Sequence, residues 1–155
     1  MSFGEDLVFV LNYLKHCNRI SFTQEPLYQH EVYNSVSLTH SFSPARFSNL
    51  EDIQKAILDF ADDKNKINPR IYDKYVKDAL HLTRMWYKNK NVPYIRKKEI
   101  IGEWLKQSYI RKLKISDYQL HWKDRMLLHC LHMSCFIGIN LIVNGKEYIN
   151  SLSKE

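Results

Sequence analysis

The sequence predicts a mainly α fold: a short N-terminal helix and a β-hairpin-like element, followed by a bundle of about four helices. Three observations predict it. Only four glycines and four prolines punctuate 155 residues, which leaves long uninterrupted stretches. Apolar residues recur at helical spacing through most of the chain after residue 48. Start signals, a proline or a hydroxyl residue set ahead of an acid or amide, precede these periodic runs. At 45% hydrophobic, the chain has the material for a core and is no disordered tail.

The elements follow in order. Leu7, Val10, Leu11 and Leu14 are spaced for a short helix over Asp6 to His16, with Glu5 and Asp6 where the helix macrodipole favours negative charge. Arg19 to Thr23 reads as a strand, Gln24-Glu25-Pro26 as a turn and Leu27 to Tyr33 as a second extended segment. Asn34 to Pro44, rich in Ser, Thr and Asn, reads as a loop. Ser48-Asn49-Leu50-Glu51 has the form of a capping box, and Leu50, Ile53, Ile57 and Ala61 form the apolar face of the helix that follows it, to about Asp63. Asn68-Pro69 starts a helix lined by Tyr72, Tyr75, Ala79, Leu82 and Trp86. Pro93 interrupts. Glu99 to Leu113 follows, with Ile100, Ile101, Trp104, Leu105 and Tyr109 inward. Ser116 to Gln119 forms another capping box, opening the longest helix, with a left-handed C-cap at Asn144-Gly145. The division is a segment 1–41 (helix, two strands, Ser-rich loop) and a helical domain 42–155.

Composition narrows the function classes. Three cysteines, Cys17, Cys130 and Cys135, are an odd count and make no disulfide framework; they read as reduced thiols of a cytoplasmic protein. Met1 to Asp6 has no basic n-region and does not read as a secretory signal. The most apolar stretch, Met126 to Val143, is broken by His129, His132, Ser134 and Asn140, so no membrane span is expected. The formal charge of +6 suits an anionic partner.

That charge is concentrated between Arg84 and Lys114, where Lys88, Lys90, Arg96, Lys97 and Lys98 stand among Trp86, Tyr87, Tyr94, Trp104 and Tyr109. One reading is a patch for an anionic membrane surface, with the aromatics at the interface. A second is nucleic-acid binding. A third is a solvated helix face with its aromatics in the core. His129 and His132 share one helix face, with His121, Cys130 and Cys135 on the same predicted helix. One straight helix cannot wrap four ligands around zinc, so they read as packing residues and no metal site is assigned.

Gly4-Glu5-Asp6 taken alone is a weak signal, since adjacent acids at a helix start commonly serve dipole compensation and capping. Its surroundings carry more: Gly-Glu-Asp-Leu-x-Phe, then Tyr13-Leu14, Ile20-Ser21-Phe22, Pro26-Leu27-Tyr28 and Ser35-Val36-Ser37. This order, over residues 3 to about 39, resembles the end of the catalytic domain in bacterial inverting family 2 glycosyltransferases of the GT-A fold. The resemblance implies that Asp6 is the base on the acceptor hydroxyl and that Glu5 orients the site or contacts the acceptor. A carboxylate within hydrogen-bond reach of that hydroxyl can serve as the base.

It further implies donor or acceptor contacts from His30, Tyr33, Ser35 and Ser37. Here His30-Glu31 stands where the family often has Tyr-Arg, so His30 reads either as a diphosphate contact or as sheet surface, and the serines either as phosphate contacts or as loop. The family's partners would be a nucleotide-sugar and a glycan or lipid-linked acceptor of surface polysaccharide, with Mg or Mn in the complete enzyme. The sequence contains no Asp-x-Asp and no Gly-rich phosphate loop. The expectation is therefore a portion lacking the nucleotide-binding half, with no cofactor held and no transferase activity by itself. It would be cytoplasmic, at the inner face of the membrane, and self-associated through apolar surface left bare between residues 7 and 40. The alternative is a non-catalytic basic helical module that binds nucleic acid or a protein partner.

Overall fold

A computed structural model describes residues 5–21, 23–25, 43–61 and 69–152. Six α-helices occur among them: α1 (Glu5–Leu14), α2 (Ala45–Phe60), α3 (Pro69–Lys88), α4 (Tyr94–Gln107), α5 (Trp122–His132) and α6 (Phe136–Leu152). Two short 3-10 turns, Tyr109–Lys112 and Ile115–Asp117, join α4 to α5. The chain divides into two compact units, Met1–Asp62 and Asp63–Glu155.

In the first unit α1 packs against α2. The β-hairpin-like element is corrected. Arg19, Ile20, Ser21 and Thr23 are not in a strand, and no strand occurs among the described residues. Ile20 is exposed and finds no ladder to join. The second expected strand, Leu27 to Tyr33, lies outside the described residues. The start of α2 also differs from expectation. Pro44 sits in the right-handed helical region at φ −53° and ψ −30°, so the helix begins one turn before Ser48. The Ser43 hydroxyl accepts from the Ala45 amide at 3.3 Å. Ser48, now inside the helix, donates back to the Ala45 carbonyl at 2.8 Å, as mid-helix serines do.

The second unit is built on α3, which packs against α4, α5 and α6. Pro69 opens α3 as expected, and Tyr72, Tyr75, Ala79, Leu82 and Trp86 are all buried along it. Pro93 is the N-cap of α4, with its ψ of 147° turning the chain into the helix. Ile101, Trp104 and Leu105 of α4, Ile110 of the first 3-10 turn, Leu127, Leu128 and Leu131 of α5 and Ile139 of α6 complete the core. Tyr72, Tyr75 and Tyr109 form an aromatic cluster with centroids 6.1 to 6.4 Å apart, two of the three pairs edge-to-face. Beside it the Tyr75 and Ser108 hydroxyls share a buried hydrogen bond of 2.8 Å.

The long final helix of the sequence reading is two helices. Ser116 and Asp117 lie in a 3-10 turn, and α5 is capped instead by His121, whose Nδ1 accepts from the Lys123 amide at 3.4 Å. The chain then breaks at residues 133–135. Ser134 takes a φ of 52°, its amide donates to Leu131 O at 3.1 Å, and the Cys135 amide donates to Cys130 O at 2.8 Å. This pair of bonds is a Schellman motif with serine in the left-handed position. Asn144-Gly145 is no C-cap, because α6 continues to Leu152. The Asn144 amide is engaged elsewhere, donating to Asn140 Oδ1 at 2.8 Å and to Tyr87 O at 3.3 Å.

Candidate functional site

Two regions carry the residues singled out from the sequence. The first is the start of α1. Glu5 is its first residue and Asp6 lies exposed in its first turn, where the amide ends of the helix favour a carboxylate. His30, Tyr33, Ser35 and Ser37 lie outside the described residues, so no contact between them and Asp6 is described. The helix behind Asp6 presents apolar side chains to solvent. Leu7 and Val10 are exposed, and Phe9 and Tyr13 are 71% and 64% exposed.

The second region is the start of α4, with the end of α3. The cationic run Arg96-Lys97-Lys98 splits according to helix phase. Lys97 shares the inward face with Ile101, Trp104 and Leu105 and is only 8% exposed. Its ammonium donates to Tyr87 O at 2.7 Å, and the Trp86 indole N–H donates back to Lys97 O at 3.2 Å. Burial pushes the Lys97 pKa below the usual lysine range. Lys97 is therefore a fastener between α3 and α4 and leaves the surface patch. Its spacing of four, seven and eight residues from Ile101, Trp104 and Leu105 was the sequence signal for this.

Lys88, Lys90, Arg96 and Lys98 remain exposed. Arg96 pairs with Glu99 at 3.0 Å, and the Lys98 ammonium lies 5.7 Å above the Phe136 ring. Tyr94 and Ile95, the latter 71% exposed, stand among these cations. The other aromatics of the stretch turn inward: Trp86, Tyr87 and Trp104 are buried, and Tyr109 joins the tyrosine cluster. Burial, and then Tyr94, push the Tyr87 hydroxyl pKa up.

Charge is divided between the units. Residues 63–155 hold nineteen Lys and Arg against nine Asp and Glu, a net +10. Residues 1–62 hold four against eight, a net −4.

A third place escaped the sequence reading. Arg70, Asp73 and Lys77, on one face of α3, meet Asp117, Tyr118, Gln119 and Leu120 around an open cleft of about 560 Å³. Its two cations and two carboxylates balance. Burial, with Asp117 next, raises the Tyr118 hydroxyl to about 12, so it stays protonated and can donate. The cleft is not legible in the sequence, because Ser116 to Gln119 has the form of a capping box and predicts a helix start there.

Among the described residues no three His, Cys, Asp or Glu side chains could hold an ion. The described residues thus offer no ligand set for the divalent cation that the resemblance implies. His129 is exposed, whereas His132 is half-buried, with Nε2 making no hydrogen bond among the described residues. Burial lowers the His132 pKa, helped by His129 and Arg111 and opposed by a backbone hydrogen bond to Ile110.

No described helix is long and apolar enough to cross a membrane. Comparison with protein-family models, with curated proteins and with solved structures gives no match to this chain.

Proposed function

We propose that the chain is the C-terminal portion of an inverting family 2 glycosyltransferase, with Asp6 as the base on the acceptor hydroxyl and Glu5 as its neighbour in positioning. The observation that carries this reading is the Glu5-Asp6 pair opening α1, with the Asp6 carboxylate exposed in the first turn. A base in that position can approach an acceptor hydroxyl while the rest of the helix supplies the floor. The exposed Phe9, Val10 and Tyr13 agree with a helix meant to be covered by another surface, and a second copy of the chain is the cover proposed. Donor and divalent cation would be held by residues outside this sequence, which has no Asp-x-Asp.

The positive second unit would face an acidic membrane surface presenting a lipid-linked acceptor, with Tyr94 and Ile95 dipping beside Lys88, Arg96 and Lys98. Salt-dependent binding to nucleic acid, with none to anionic vesicles, would replace this reading by the nucleic-acid one.

The test is genetic and enzymatic. The in-frame DNA upstream, or an adjacent gene, is expected to encode a donor-binding segment with Asp-x-Asp. In the protein so completed, Asp6→Asn should lower kcat by about 10²- to 10⁴-fold with donor binding intact. The absence of any such segment, or full activity in the variant, would refute the assignment.

A further inference from the structure

Cys130 and Cys135 occupy two special positions of the corner between α5 and α6. In the Schellman motif the third residue from the helix end and the second residue beyond the cap touch through their side chains, usually as an apolar pair. Those residues here are Cys130 and Cys135, as the 2.8 Å bond from the Cys135 amide to Cys130 O shows. Both border one point in space: a Cβ built on Gly138 would lie 2.7 Å from Cys130 Sγ and 3.1 Å from Cys135 Sγ. Glycine at 138 thus leaves room for both sulfurs beside α6. Cys135 is exposed, while Cys130 is half-buried and its thiol is pushed up in pKa by that burial and by Cys135. Cys17 is in the other unit.

We propose that Cys130 and Cys135 form a thiol–disulfide exchange site, oxidised by small-molecule disulfides of the glutathione type. The exposed Cys135, as thiolate, attacks one sulfur of the small disulfide. This forms a mixed disulfide and expels one small thiolate. Cys130 then loses its proton and attacks the Cys135 sulfur, which breaks the mixed disulfide and expels the second small thiolate. The protein gives up two protons and two electrons, and the small disulfide leaves as two thiols. The product staples the last turn of α5 to the first residue before α6. This site is independent of the transferase assignment, because it requires only the second unit.

The experiment uses the whole chain in glutathione redox buffer, followed by acid quench, alkylation and peptide mass analysis. A tryptic peptide running from Met126 to Lys146 contains both cysteines and no other. The expected product is this peptide two hydrogens lighter, with no glutathione retained and Cys17 still alkylatable. Cys130→Ser should instead retain one glutathione on Cys135, since the resolving thiol is gone. At a fixed buffer ratio the proportion of disulfide to dithiol should be about tenfold higher in the native chain than in urea, because the turn holds the sulfurs together. A wild-type chain that retains glutathione on Cys135, or in which both thiols stay alkylatable, overturns the proposal. So does an equal disulfide proportion in native and unfolded chains, which would mean mere closeness in sequence.

Discussion

Replacing Lys97 by methionine isolates the fastener between α3 and α4. Methionine keeps most of the buried stem and deletes the ammonium that donates to Tyr87 O at 2.7 Å. A hydrogen bond from a charged group contributes about 1.5–3 kcal/mol. The charge is partly desolvated, as its lowered pKa indicates, so the lower end applies. The Tyr87 carbonyl also keeps the Asn144 amide at 3.3 Å. The expected loss is about 1.5 kcal/mol, which for a unit of this size lowers Tm by roughly 6–12 °C. All three tryptophans, Trp86, Trp104 and Trp122, lie in the second unit, so tryptophan fluorescence during urea or thermal unfolding reports on that unit alone. Adding Asn144→Ala removes both side-chain donors from the carbonyl. The double variant should then lose about 1 kcal/mol more than the two singles together. A Lys97→Met chain as stable as wild type, with strictly additive singles, would refute the fastener.

Three further outcomes are expected. Lys88→Gln with Lys98→Gln removes two exposed cations, each contributing about 1 kcal/mol at an anionic surface. Binding to phosphatidylserine vesicles should weaken roughly 30-fold, while Lys97→Met leaves it unchanged. Because His132 has a lowered pKa in the folded chain, the unfolded chain takes up the proton first as pH falls through about 6.5. Stability should therefore decline below that pH and level off once the folded-state pKa is passed. The urea midpoint at about pH 7.5 and at about pH 5 measures this difference, which should shrink in His132→Gln. Light scattering should find the wild-type chain self-associated, and Phe9→Ser with Tyr13→Ser should give a smaller species. A monomeric wild type would remove the oligomer from the proposal.

The parts of the fold legible in the sequence were those set by strong local chemistry. Pro69 and the periodic Tyr72, Tyr75, Ala79, Leu82 and Trp86 located α3 because a rigid first residue and one continuous buried face agree. The corner at 133–135 was not legible, because its left-handed position is filled by Ser134 and not by glycine. Asn144-Gly145 carried the usual stop signal instead, yet α6 runs through it to Leu152, with the Asn144 side-chain amide donating to Tyr87 O. The strand reading of Arg19 to Thr23 rested on local preference, which tertiary context readily overrides. At the candidate site, residue type identified Asp6 and the cationic run. Only helix phase separates Lys97, turned inward, from Lys98 one position later.

The division of charge between the units has a consequence for the molecule in solution. A sequence pI near 9.2 describes neither unit: one is net negative and the other strongly positive. In dilute buffer, the acidic unit of one molecule attracts the basic unit of another, and such head-to-tail attraction has no natural stopping point. Added salt shortens its reach to about 8 Å near physiological ionic strength. The protein should therefore salt in, being least soluble in the low-salt buffers commonly used to load a basic protein onto a cation exchanger, and clearest where ions screen the attraction.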